Sequence, residues 1–107
     1  MYVLVTYVPS SHLEEVKEAL FNAGAGHLGS YDHCSWQVEG RGQFRPLEGS
    51  HPFLGEKDVV EYASEYRLEM VVSEDLAVNA IQALKKAHPY EVPAYHLIPV
   101  LTIDVED

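Results

Sequence analysis

Residues 66–89 read YRLEMVVSEDLAVNAIQALKKAHP, and this stretch decides the fold. Tyr66, Leu68, Met70 and Val72 alternate with Arg67, Glu69 and Val71, the period-two pattern of a strand. The strand stops at Ser73. There a hydroxyl followed by Glu74 and Asp75 suits a helix start, because the side-chain oxygen caps free backbone N–H groups and the carboxylates face the positive end of the helix dipole. Ala77, Ala80, Ile81, Leu84 and Ala87 then recur at helical spacing, with Lys85 and Lys86 in the last turns and Pro89 as the stop. A strand thus runs directly into a helix with one apolar stripe to bury.

The same order occurs upstream. Tyr2–Val8 (YVLVTYV) is β-branched and aromatic and stops at Pro9, which cannot donate to a ladder. Ser11 and Glu14 have capping-box spacing, and Leu13, Val16 and Leu20, with Ala19 and Ala23, predict a helix over residues 11–23 that ends at Gly24. Asp32–Glu39 sets Cys34, Trp36 and Val38 against His33, Ser35 and Gln37, predicting a half-buried second strand. Gly40 and Gly42 flank Arg41 in what reads as a tight turn, with Gln43–Leu47 returning as a short hairpin arm and Glu48–Lys57 as a long loop. Ala94–Val105 reads as a last strand interrupted by Pro99.

Strand, helix, strand, insert, strand, helix, strand is the split βαβ pattern. It predicts an α+β fold, a ferredoxin-like βαββαβ two-layer sandwich with both helices on one face of an antiparallel sheet and an inserted hairpin and long loop. The first strand is apolar on both faces (Val3, Val5 and Tyr7 against Leu4 and Val8), and the last carries Leu97, Ile98, Val100, Leu101 and Ile103. A second apolar face left open predicts that sheets of several copies pack into a homo-oligomer.

The 107 residues fit one domain, residues 1–107, and the formal charge of -10 comes from 17 acidic against 7 basic side chains. Seven scattered cations form no stripe for phosphates, so nucleic acid and anionic membranes are not expected partners. The single cysteine excludes an internal disulfide framework and suits a reducing cytoplasm. The N-terminal apolar run is short and lacks a basic lead, which reads as a strand rather than a signal peptide, and no apolar run is long enough for a membrane span.

Gly24-Ala25-Gly26-His27-Leu28-Gly29 matches GxGxxG, but a helix precedes it and a strand follows, the reverse of a dinucleotide site, so a helix C-cap and turn is the expected role. Cys34 shares the apolar face of Trp36 and Val38 and reads as a buried structural thiol rather than a nucleophile. His51, before Pro52, reads as a turn residue. The run His88-Pro89-Tyr90-Glu91 has two readings. In one, Pro89 stops the helix, Tyr90 packs and Glu91 is solvated; in the other, His88 and Glu91, with His27, His33 or Glu69 from adjoining elements or a neighbouring subunit, hold a divalent cation through imidazole nitrogen and carboxylate oxygen.

Taken in order, Asn22 to Trp36, Gly42-Gln-Phe-Arg-Pro46, Ser50-His-Pro-Phe-Leu-Gly55, Glu65-Tyr-Arg-Leu-Glu69 and Ala87-His-Pro-Tyr-Glu-Val-Pro-Ala-Tyr95 together resemble the inserted domain of NIF-three-like proteins. That insert is itself similar to the trimeric PII-like and CutA-like proteins, so the resemblance implies a PII/CutA-like fold and a homotrimer. In full-length members a dinuclear-metal domain surrounds the insert, and this chain looks like the insert alone, so the family's hydrolase or cyclohydrolase activity is not carried over. The motif set falls on Gly26, Gly29, Tyr31, His33, Phe44, Glu69, His88, Tyr90 and Glu91. The expected function is a cytoplasmic, non-enzymatic trimeric module that binds a divalent metal ion, a small ligand or a protein partner at clefts between subunits. His33, Glu69, His88, Tyr90 and Glu91 are its candidate ligand positions and His88 and Glu91 its candidate metal ligands. By analogy of fold, the loop Leu47–Lys57 would be the recognition element. The alternatives are a small metal-dependent hydrolase and a purely structural oligomerisation module.

Overall fold

The computed structural model describes residues 1–103 and Val105. Four strands and two helices follow in the order β1 (Tyr2–Pro9), α1 (Leu13–Asn22), β2 (Trp36–Phe44), β3 (Glu61–Val72), α2 (Ala77–Ala87) and β4 (Tyr95–Pro99). The sheet order is β2-β3-β1-β4, with every neighbouring pair antiparallel. This is the expected ferredoxin-like arrangement, in which each strand-helix-strand unit places its two strands apart and the other unit fills the gap.

One face of the sheet meets the helices. Leu4 and Val8 of β1 and Leu68, Met70 and Val72 of β3 close on Leu13, Val16 and Leu20 of α1 and on Ala80 and Leu84 of α2. Thr6 lies fully buried on the same face. The other face is mixed: β1 supplies Val3 and Val5, but β3 sets Glu65, Arg67 and Glu69 beside it, and Arg67 Nε donates to Glu69 Oε1 at 2.7 Å. The expected wholly apolar second face is therefore an apolar rim around an ion pair, with Trp36, Val38 and Ile98 exposed.

The helix ends differ in how they match their sequence. α1 closes in a Schellman motif: the Ala25 N–H reaches the Leu20 carbonyl at 3.1 Å and the Gly24 N–H the Phe21 carbonyl at 3.0 Å, with Gly24 at φ +99°. The GxGxxG string is thus a helix exit. Neither helix start uses its hydroxyl. Ser11 Oγ bonds to His12 Nδ1 at 2.8 Å, and Ser73 makes no side-chain cap. Both helices instead begin through one 3₁₀ turn, Ser10–His12 and Glu74–Leu76; in the second, the Leu76 and Ala77 N–H groups reach the Ser73 and Glu74 carbonyls.

β2 departs most from its reading. It begins at Trp36, because His33 sits at φ +56° and the Cys34 N–H is taken by the Gly26 carbonyl at 2.9 Å, so Asp32–Ser35 folds against the α1 exit. It then runs through Gly40 and Gly42 without turning and pairs with β3 from Trp36↔Glu69 to Phe44↔Glu61. Nor is it half-buried: its residues are almost all exposed. The turn is the loop between Phe44 and Glu61, which contains the expected segment Glu48–Lys57. β4 stops at Pro99, and Val100 to Ile103 add no strand. The remainder of the expected strand up to Val105 includes Asp104, outside the described residues.

Candidate functional site

α2 ends because Pro89 forces His88 into extended backbone, at φ -73° and ψ 133°. The chain then crosses the end of the sheet to reach β4. His88 anchors that crossing. The residue is 5% exposed; Nδ1 accepts the Tyr90 N–H at 3.1 Å, and Nε2, which therefore carries the proton, donates to the Tyr7 carbonyl at 2.7 Å. Burial holds the imidazole below its ordinary pKa, with His12 adding to the effect and the Tyr7 bond and the Glu65 charge opposing it. At the far end of the crossing Thr6 Oγ1 donates to the Ala94 carbonyl at 2.8 Å.

Between these anchors stand Tyr90 and Glu91. The Tyr90 hydroxyl donates to Glu65 Oε2 at 2.7 Å, and its ring meets those of His88, Phe44 and Phe53 with centroids 4.8, 5.8 and 6.4 Å away. Burial first, then the hydrogen bond and charge of Glu65 and the charge of Glu61, push the phenol pKa well above its ordinary value. Glu65 can reach across β2 because Gly42 has no side chain: a Cβ there would overlap the Glu65 carboxylate. Glu91 Oε2 accepts the His51 N–H at 2.7 Å, tying the long loop to the crossing. Phe53 of the same loop also meets the ring of His12 edge-on at 5.4 Å.

These contacts enclose a cleft of about 310 Å³ whose lining includes Tyr7, Phe44, Pro52, Phe53, Leu54, Glu65, Tyr90, Glu91 and Val92. Four separate stretches build it: the end of β1 at Tyr7, the β2–β3 ribbon, its connecting loop and the 88–94 crossing. Aromatic walls with two carboxylates can enclose an apolar body and hold a polar or cationic group at one end.

The structure separates the residues expected from sequence. Tyr90 and Glu91 line the cleft, and His88 lies beneath it with both ring nitrogens engaged inside the protein. The two residues expected to hold a metal thus have different tasks: His88 turns inward and Glu91 faces the loop. Among the described residues no group of three His, Cys, Asp or Glu side chains stands ready for a metal. Glu69 is elsewhere, on the open sheet face with Arg67. His33 is elsewhere again, stacked on Phe21 at 4.6 Å and close to Asp32 and Glu18. Cys34 is only partly buried and points its thiol at the Asp32 carbonyl, 3.6 Å away. Sequence reasoning missed Glu65, Gly42, Tyr7 and Phe53 as site residues. Three of them stood in quoted motifs, Glu65 at the head of Glu65-Tyr-Arg-Leu-Glu69, Gly42 at the head of Gly42-Gln-Phe-Arg-Pro46 and Phe53 within Ser50–Gly55, and the register between strands is what joins them.

No protein-family model matches the chain. A GTP cyclohydrolase 1 type 2 homolog of Halalkalibacterium halodurans is 43% identical over 100 residues, covering 94% of this chain and 27% of that protein. The crystal structure of a Bacillus cereus protein related to NIF3 superposes with a TM-score of 0.80 at 40% identity, over 92% of this chain and 25% of the other. The PII-like protein CutA from Nostoc superposes with a TM-score of 0.67 at 21% identity, over 94% of this chain and 81% of the other, a likeness of fold alone. The chain spans about a quarter of the length of the curated relatives it matches. The motif set, the fold and the matching quarter of these longer proteins agree: over nearly its whole length the chain is similar to one domain of NIF3-related proteins, and its fold is PII/CutA-like.

Proposed function

We propose that this chain is a non-enzymatic, trimeric binding module that takes a small ligand in the cleft between the 88–94 crossing and the β2–β3 ribbon. The observation that carries the reading is the cleft itself, in which the most distinctive motif of the sequence, His88 to Tyr95, supplies Tyr90 and Glu91 to one wall. The side chains there position and enclose; none forms a pair of nucleophile and base, and the relatives' cyclohydrolase name belongs to proteins about four times as long. Trimerisation rests on the likeness to CutA and on the exposed Trp36, Val38 and Ile98 of the open sheet face. A cytoplasmic setting, suited to the single thiol of Cys34, belongs to the same reading.

Chemical-shift mapping with a mixture of small aromatic fragments tests the site. The largest changes are expected at Tyr7, Phe44, Glu65, Tyr90 and Glu91. Changes centred on Trp36 or His33 instead would move the site to the open face or the α1 exit and contradict the reading.

A further inference from the structure

We propose that the ligand of this cleft is an organic cation: a primary ammonium or guanidinium group carried on an apolar, preferably aromatic, body. The inference deepens the reading of the cleft as a ligand site and rests on it. Its basis is the chemistry of the lining, which combines aromatic and aliphatic walls with the carboxylates of Glu65 and Glu91 and includes no Lys, Arg or His.

The two carboxylates are held but not neutralised. Glu65 receives one hydrogen bond, from the Tyr90 hydroxyl, and Glu91 receives one, from the His51 amide; each donor is uncharged and each leaves lone pairs on the acceptor. The nearest cationic candidate from below, His88, is buried as the neutral tautomer with both nitrogens engaged. Arg67, on the same sheet face as Glu65, is engaged by Glu69 at 2.7 Å and by the hydroxyl of Tyr7, itself part of the cleft lining, and does not line the cleft. Two negative groups in a lining that also carries Phe44, Phe53 and Tyr90 form an environment that a hydrated metal ion uses poorly, since among the described residues no third carboxylate, imidazole or thiolate stands with them to complete its ligands. An ammonium on an aryl body uses both parts: the charge pairs with the carboxylates and the body displaces water from the rings. A volume of about 310 Å³ is enough for one such molecule and too small for a folded partner. A carboxylate or phosphate ligand would meet two like charges there and is excluded on the same ground.

Calorimetric titration of the whole chain with three matched probes tests this: phenethylammonium chloride, neutral 2-phenylethanol and anionic 3-phenylpropionate. The ammonium is expected to bind about ten-fold or more tightly than the alcohol, with no binding of the carboxylate. Glu65→Gln and Glu91→Gln keep an oxygen that can accept from the Tyr90 hydroxyl and the His51 amide, so they should fold normally. Each should weaken the ammonium about ten-fold while leaving the alcohol unchanged. Glu69→Gln, on the open face, should change neither. If the alcohol binds as tightly as the ammonium, or the Gln variants bind the ammonium like the unmodified chain, the charge class fails while the cleft survives as an apolar ligand site. If none of the probes binds, both readings fall.

Discussion

His88 is the residue whose chemistry can be tested with least ambiguity, because its two hydrogen bonds require the neutral ring. Burial lowers its pKa in the folded chain from the ordinary 6.5. The unfolded chain therefore binds more protons once the pH falls below about 6.5, and the contribution of His88 is complete above that value and lost progressively beneath it, towards the folded-state pKa. Urea unfolding of the unmodified chain and of His88→Gln, between about pH 7.5 and 5.0, should show their stability difference shrinking on acidification. A difference independent of pH would contradict a buried neutral ring. Tyr90→Phe removes the one hydrogen bond received by Glu65 and should cost about 1 kcal/mol in the same assay, the partial exposure of the pair keeping the cost at the low end. Combined with Glu65→Ala, which also removes the bond, the loss should be clearly less than the sum of the two single losses; full additivity would mean that the two side chains do not interact.

At the scale of elements, the β2–β3 ribbon and the core make opposite demands. Leu84→Ala empties a fully buried position between α2 and the sheet and should lower stability by about 2–5 kcal/mol in urea unfolding. Gly42→Ala should cost no more than about 1 kcal/mol, since an extended strand accepts alanine, yet it should displace the Glu65 carboxylate. NMR titration of ring-labelled tyrosine would then find the Tyr90 phenol shifted back towards its ordinary value of 10.0; an unmoved phenol would show that Glu65 has another route to it. The same elements show what was legible in the sequence. Periodicity found every helix and strand of the core because Leu4, Val8, Leu68 and Met70 repeat at the spacing that buries them. At β2 alternation found a strand over Asp32–Glu39 but misplaced its bounds and its burial: the strand is the exposed Trp36–Phe44, and the two glycines that imitate a turn continue it and let Glu65 cross. The hydroxyl caps expected at Ser11 and Ser73 are absent, because each helix is entered through a 3₁₀ turn instead. The cleft was half legible: Tyr90 and Glu91 stand in a dense local motif, but their joining to Glu65, Gly42 and Phe53 depends on strand register and on where a long loop folds back.

For the whole molecule, the open sheet face carries the claim of assembly. Trp36 is 61% exposed beside the Arg67–Glu69 pair, an apolar rim with a polar centre, as expected of a surface that meets other copies rather than a buried core. Trp36→Glu should therefore leave the stability of the single chain within about 0.5 kcal/mol while breaking the assembly apart. With a formal charge of -10, the chain should gain in association as salt screens the repulsion between copies. Native mass spectrometry of the untagged protein, purified without chelator, tests the central claim of a trimeric ligand-binding module most directly. A trimer is expected that retains an added mass in the range of a small organic molecule, with that mass lost in Tyr90→Ala; a monomer, or a trimer whose added mass is unaffected by Tyr90→Ala, would overturn the claim.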